Sequence, residues 1–328
     1  MSAGEGRPKP LRIARVQTKL ILFEGNPFTG KSTLSEYVAQ QLALNGHAVD
    51  WVHEGALWER FPQVFAMDGT QSFSGEAVWD EWSGFVQAVD DQPAISVVDS
   101  ALSNGAVYTL LLNDQSVTAI QELVTKLAER CAPLQPRVIY LRGDQERLAR
   151  ASIADRGAKW EQQMIDQSDA APYQQARGRS GLDGAITFLE EMQDVMDVVL
   201  EEGGWPTLTL DVTANDRETN RRAILDFLEI PEVPVAPMAL AEPLPAYAGT
   251  YAGEDPEGRI GSIEVRIEDD QLVLYTPGQR LSPFVPVSPT RLHLRAHPID
   301  VEFEVEDGRA QRLVLYWTNG RTAAFDRT

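Results

Sequence analysis

Two periods of apolar residues divide the chain. From Leu20 to about Leu228, short solid apolar runs alternate with stretches whose apolar positions recur every three to four residues. The runs "KLILFEG", "HAVDWVHE", "AISVVD", "RVIYLRG" and "PTLTLDV" have the length and fill of buried strands. Between them lie helical patterns: Leu34, Val38 and Leu42 after the first run, then Glu76–Val89, Ser116–Arg130, Asp144–Gln167 and Gly184–Leu200. Strands separated by helices predict an α/β fold with a mainly parallel sheet covered on both faces. A proline-dense stretch follows, with Pro231, Pro234, Pro237, Pro243 and Pro245, which suits an extended linker. Beyond it the period becomes two, in "GSIEVRI", "QLVLY", "RLHLRA", "VEFEVED", "AQRLVLYW" and "RTAAFD". That pattern predicts a small antiparallel β-barrel or sandwich. The expected organisation is a tail over 1–19, an α/β unit over 20–229, a linker over 230–245 and a β-domain over 246–328.

Charge narrows the partners. The 328 residues carry a formal net charge of −20, so the surface as a whole repels polyanions and speaks against nucleic acid or anionic membrane as a main partner. The single cysteine, Cys131, leaves no disulfide framework or CxxC metal site. No run reaches the roughly 18 apolar residues of a membrane span. The N-terminal residues have basic side chains but no apolar core of a secretory signal, so the expected location is cytoplasmic.

The chemistry starts at Gly25-Asn26-Pro27-Phe28-Thr29-Gly30-Lys31-Ser32-Thr33, which contains an uninterrupted G-x-x-x-x-G-K-[ST] between an apolar strand and an amphipathic helix. Glycines at this spacing let consecutive N–H groups turn toward phosphate oxygens, and the helix that follows adds its positive end. Lys31 would then meet the β- and γ-phosphates, and Ser32 would ligate Mg²⁺. Pro27 and Phe28 fill variable positions. Two acids stand at strand ends, where parallel sheets bind ligands: Glu54 and Asp99. Either can take a proton from an acceptor hydroxyl or hold Mg²⁺ through water. Asp99 also suits a helix N-cap, and Glu54 a solvated loop.

Arg147, Arg150 and Arg156 follow the fourth strand and fit an arginine lid over transferring phosphate, or a solvated helix paired with Asp144, Glu146 and Asp155. Arg177 and Arg179 form a second basic cluster that suits the surface. Val78, Trp82, Phe85 and Val89 recur at helical spacing and predict core, whereas Trp58 and Trp79 fall off that face and are candidates to touch a substrate.

Together "FEGNPFTGKST", Glu54, Asp99 and "YLRGDQERLAR" resemble the P-loop kinases of the nucleoside and nucleotide group, which includes the thymidylate and deoxynucleoside kinases. The resemblance covers about Leu20 to Leu228. It implies ATP and Mg²⁺ as cofactors and a small-molecule acceptor, a nucleoside or nucleotide first. Lys31, Glu54, Asp99, Arg150 and Arg156 would be the catalytic residues, and "LDVTAND" would lie near the adenine. Ser100 stands where those kinases have an arginine, and the lid arginines are six apart. The C-terminal stretch is similar to the small lipocalin-like β-domain that follows some β-lactamase-related serine hydrolases, which implies association, through a homo-oligomer, or covering of the cleft. His293 and His297 have no partners at useful sequence spacing. A sugar or antibiotic kinase, or a nucleotide-dependent regulatory module without an acceptor, stays open.

Overall fold

The computed structural model describes residues 17–61, 74–214, 216–255 and 260–328, with the side chains of 58–60 left aside. Most of the expected tail, the side chain of Trp58 and Asn215 of "LDVTAND" lie outside the described residues.

The first unit runs β1 (Leu20–Gly25), α1 (Lys31–Leu44), β2 (Val49–Val52), α2 (Glu54–Arg60), α3 (Gly75–Asp91) and β3 (Ile95–Asp99). A π-helical turn over Ser103–Tyr108 continues as α4 (Thr109–Leu112), then α5 (Val117–Cys131), β4 (Arg137–Arg142), α6 (Gln145–Arg156), α7 (Ala158–Asp169) and α8 (Pro172–Arg177). It closes with α9 (Gly181–Glu202), β5 (Thr207–Asp211) and α10 (Arg217–Leu228). The five strands are parallel in the order β2-β3-β1-β4-β5. β1 is therefore central. All six of its residues are buried, as a strand covered on both faces requires.

Two apolar cores lie on the sheet's faces. One joins Leu20, Leu22, Trp82, Val98, Phe188 and Met192 to the helices α3, α5 and α9. The other joins Ile21, Phe23, Val38, Leu42, Ile139 and Ile224 to α1 and α10. Val78, Trp82, Phe85 and Val89 are buried, as their spacing predicts. The alternation of β1 residues between the two cores follows from the two-residue strand period.

Three local expectations change. Glu54 does not end the second strand: β2 stops at Val52, and His53 caps α2 by accepting the Gly55 N–H at Nδ1 (3.0 Å). The predicted helix over 144–167 is two, because Gly157, at φ 93°, breaks it between Arg156 and Ala158. The proline stretch is partly tied down: Gln41 of α1 binds both the N–H (2.7 Å) and the C=O (3.0 Å) of Val233.

The C-terminal residues form a closed antiparallel barrel of eight strands: β6 (Gly249–Gly253), β7 (Ser262–Glu268), β8 (Gln271–Thr276), β9 (Gln279–Pro286), β10 (Arg291–Leu294), β11 (Ile299–Glu306), β12 (Arg309–Trp317) and β13 (Thr322–Arg327). β13 pairs with β6, so the barrel has no open edge. β6 and β9 have weaker alternation than the other six, which is why the period-two reading missed them. Tyr247, Tyr251, Phe284, Phe303 and Phe325 fill the interior, with Tyr247 and Phe303 centroids 5.1 Å apart. Arg327 closes one end by donating to the Ala246, Ala248 and Ala310 carbonyls.

Candidate functional site

The phosphate loop is shaped by its backbone. Gly25 sits at φ 134°, and a Cβ there would lie 2.1 Å from the Leu141 carbonyl oxygen, so the loop presses directly on β4. Gly30, at φ 85°, precedes the first residue of α1 and turns the chain into the helix. Phe28 also adopts a left-handed φ of 76°, an uncommon conformation for such a side chain and one that marks a constrained loop. The buried Lys31 Nζ and the Thr29 Oγ1 both donate to the Asn26 carbonyl at 2.8 Å. Asn26 is held from its other end by donation to the Leu189 carbonyl (2.5 Å), while its Oδ1 is buried with no partner.

Behind the loop stands Glu24, fully buried. Its two oxygens accept the N–H groups of Leu102 (2.9 Å) and Ser103 (2.6 Å), which clasps β1 to the chain leaving β3. Burial raises its pKa to about 7, against the pull of those two N–H groups and the Lys31 charge. The sequence did hold a signal for this residue: a lone acid within the apolar run "LILFEG".

The acids at the strand ends converge. Asp99 is fully buried, accepts from Ser100 Oγ at 2.8 Å through Oδ1, and leaves Oδ2 without a partner. Ser100 is held at φ 66° and donates its N–H to the Phe23 carbonyl (2.8 Å), a strained position at the end of a central strand. Glu54 Oε2 lies 3.4 Å from both Ser100 Oγ and Asn104 Nδ2. Asn104 reaches it from the π-helical turn, a geometry that recurs at functional sites. Nothing in the sequence pattern pointed to Asn104.

The end of α6 and the start of α7 touch the loop through an aromatic contact. Arg156, the last residue of α6, stacks over the Trp160 ring at 4.6 Å, and Trp160 meets Phe28 edge-on with centroids 6.1 Å apart. Burial lowers the Arg156 pKa against the charges of Glu54 and Asp155, but a guanidinium keeps its proton. Trp160 Nε1 is a third buried polar atom without a partner. Arg150 is placed elsewhere: half-exposed, it pairs with Glu146 (2.9 Å) and more loosely with Asp183 (3.8 Å). Arg177 and Arg179 pair with Asp114 and Glu191, each at 2.6 Å. Trp79 is half-buried against the first core. In "LDVTAND", Thr213 Oγ1 accepts the Asp144 N–H (2.9 Å), joining the loops after β4 and β5.

The barrel supplies the rest of the surroundings. His293 Nδ1 lies 2.7 Å from Asp300 Oδ1, and Nε2 lies 2.7 Å from Glu36 Oε1 on α1. Partners that sequence spacing did not provide come from a neighbouring strand and from the other unit. Trp51 packs edge-on between His53 (5.8 Å) and His293 (6.4 Å), and His297 lies 5.9 Å from His53. Arg280 of β9 pairs with Asp155 at 3.2 Å, next to the lid arginine.

The loop cradle with Lys31 fits a bound nucleoside triphosphate, whereas the orphaned acceptor oxygens Asn26 Oδ1 and Asp99 Oδ2 call for a donor or a cation. Ser32 and Asp99 suit Mg²⁺ brought in with it. Among the described residues no group of three or more His, Cys, Asp or Glu is placed to hold a metal alone, and no helix is long and apolar enough to cross a membrane.

No protein-family profile and no curated protein matches the chain. Among solved structures it is similar to a shikimate kinase from Acinetobacter baumannii in complex with shikimate, at 13% identity and a TM-score of 0.35. That match covers 65% of this chain and 95% of the other. A likeness so loose carries no argument about chemistry.

Proposed function

We propose that the chain is an ATP- and Mg²⁺-dependent kinase that transfers the γ-phosphoryl group to a hydroxyl or phosphate of a small molecule, a nucleoside or nucleotide first. The observation that carries this reading is the position of Glu54. Its carboxylate, within reach of Ser100 and Asn104 and subject to the charge of Arg156, stands beside the chain leaving β3, the strand that pairs with β1, and β1 leads into the phosphate loop.

In this reading the loop amides, Lys31 and Ser32 hold the phosphates, with Gly25, Asn26, Pro27, Phe28, Thr29, Gly30 and Thr33 completing the cradle. Ser32 and Asp99 would hold Mg²⁺, which would supply positive charge against the phosphates. Glu54 accepts the acceptor's hydroxyl proton as the new O–P bond forms and the bond to the ADP oxygen breaks. Arg156, over Trp160, stabilises the charge that spreads on the transferring group and helps exclude water. Arg150 would contribute only if the lid moved to release it from Glu146.

The test is ADP release by the purified full chain with MgATP and a panel of deoxynucleosides, ribonucleosides, their 5′-monophosphates, hexoses and aminoglycosides. Lys31→Ala serves as the blank. At least one acceptor should stimulate release, and Glu54→Gln should remove the stimulation by about 10²- to 10⁴-fold while ATP affinity holds. Equal stimulation in Glu54→Gln would sink the base assignment. A second reading has support in the ion pairs that tie the barrel to both α1 and the lid: a module in which nucleotide sets the barrel's position. It predicts nucleotide binding with no acceptor stimulation anywhere in the panel.

A further inference from the structure

The barrel meets the α/β unit at two places, on α1 and at the end of α6. At the first the turn joining β10 to β11 is anchored to α1: the Ala296 N–H donates to Glu36 Oε2 at 2.9 Å, while His293 holds Glu36 Oε1. At the second Arg280 grips Asp155, beside Arg156, while Glu268 holds the same guanidinium at 2.9 Å. Both anchors flank one residue whose role they do not explain.

That residue is His297. Ala296 takes a left-handed φ of 60°, and the His297 N–H bonds back to the Leu294 carbonyl (3.0 Å), so the turn is tight and its side chain is aimed by the backbone. The ring lies 5.9 Å from His53, the residue that caps α2 and precedes Glu54. Burial first, then the charges of His53, Arg156 and His293, lower its pKa to about 3, so the imidazole is neutral at physiological pH. Among the described residues neither ring nitrogen has a hydrogen-bond partner. A neutral imidazole offers one N–H and one lone pair, which matches the donor and acceptor of a hydroxyl. It adds no charge that would compete with Arg156 for Glu54.

We propose that His297 contacts the acceptor, so that the barrel forms one wall of the acceptor pocket and its imidazole hydrogen-bonds a hydroxyl of a polyhydroxylated substrate such as the sugar of a nucleoside. This rests on the kinase reading above and deepens it. It makes His297 a specificity-determining residue, with Glu54 remaining the base. It also gives the barrel a second task, which is to keep water from the phosphoryl group while the pocket is filled.

The test uses the full chain, MgATP and each member of the acceptor panel above that stimulates ADP release, each against a sample without acceptor. His297→Ala should raise the acceptor KM about tenfold, the worth of one hydrogen bond, and leave the MgATP KM within about twofold. Acceptor-free ATP hydrolysis should rise about threefold or more as water gains entry. His297→Asn, which keeps a donor and an acceptor, should recover part of the KM. His293→Ala loosens the same turn without removing the imidazole and serves as the structural control. Unaltered acceptor KM in His297→Ala overturns the wall and leaves the kinase standing. So does an equal rise in both KM values that His293→Ala reproduces together with a lower melting temperature. A wild type whose ADP release no member of that panel stimulates overturns both readings.

Discussion

The proposed donor side is one continuous stretch, Gly25 to Thr33, shaped by its own backbone: two glycines at positive φ, a lysine folded onto Asn26, and a helix that starts at the lysine. The proposed acceptor side has no such continuity. Glu54, the run from Asp99 through Ser100 to Asn104, Arg156 and His297 come from four separate stretches; hydrogen bonds of 3.4 Å join Glu54 to Ser100 and Asn104, and a ring contact sets His297 beside His53. A phosphate is the same in every nucleotide and can be met by a fixed peptide geometry. An acceptor differs from one enzyme to another, and side chains on separable elements can be changed one at a time.

Four substitutions would break or sharpen this contrast. The largest effect belongs to Gly25→Ala. With a Cβ 2.1 Å from a backbone oxygen and a φ that L residues rarely adopt, the loop and β4 must part. We expect a loss of about 4 kcal/mol or more, or no soluble protein, read by chemical denaturation. A stable Gly25→Ala that still binds ATP would mean the donor side is not set by its backbone. Next is Arg156→Ala on the acceptor side, with an expected fall in kcat of about 10²- to 10³-fold and unchanged stability, measured by steady-state ADP release. An effect confined to ATP affinity would move Arg156 to the donor side.

Glu24→Gln tests the clasp between the two sides. A carboxamide has one acceptor oxygen for two N–H groups, so one buried donor loses its partner, at a cost of about 1–3 kcal/mol in unfolding free energy. A neutral result would show that the clasp relaxes.

The smallest effect concerns His293. Burial alone would push its pKa down, but hydrogen bonds and charges from Glu36 and Asp300 outweigh it and the pKa is raised. The charged groups around it are Glu36 on α1 and, on the barrel, Asp300 with its partner Arg291 and Arg295. A histidine with a raised folded pKa stabilises fully below its unfolded value of about 6.5, and that share is lost as pH rises through the folded value. His293→Gln should therefore cost up to about 1 kcal/mol at pH below about 6 and progressively less in alkaline buffer. Thermal melts of both proteins across pH read this directly. A deficit that grows with pH would reverse the charge assignment.

How much of this was legible in the sequence varies with distance along the chain. The inner sheet strands β1, β3 and β4 were readable because a strand buried on both faces is apolar almost throughout, the edge strands β2 and β5 as short runs between helical patterns, and six barrel strands because a strand buried on one face alternates. Gly157 was visible, yet a single glycine inside a helical pattern does not announce a break; its φ of 93° does. Arg150 and Arg156 looked equivalent on spacing. Packing separated them, leaving Arg150 on Glu146 and bringing Arg156 over Trp160. Glu54 was found for its acidity near a strand end, although the strand stops two residues earlier and His53 starts a helix instead.

By itself the sequence determined what is local: the strand and helix periods, the phosphate loop with its glycines, and the change to alternating strands after the prolines. Local physics suffices there, since φ, burial period and helix entry depend on neighbours in the chain. Only the tertiary structure decided that a barrel turn nearly 250 residues beyond His53 sets His297 beside it, that Glu36 holds His293, and that Glu24 clasps the chain leaving β3. Those contacts are made by polar groups whose partners are chosen by desolvation and geometry across the fold, and no period along the chain records that choice.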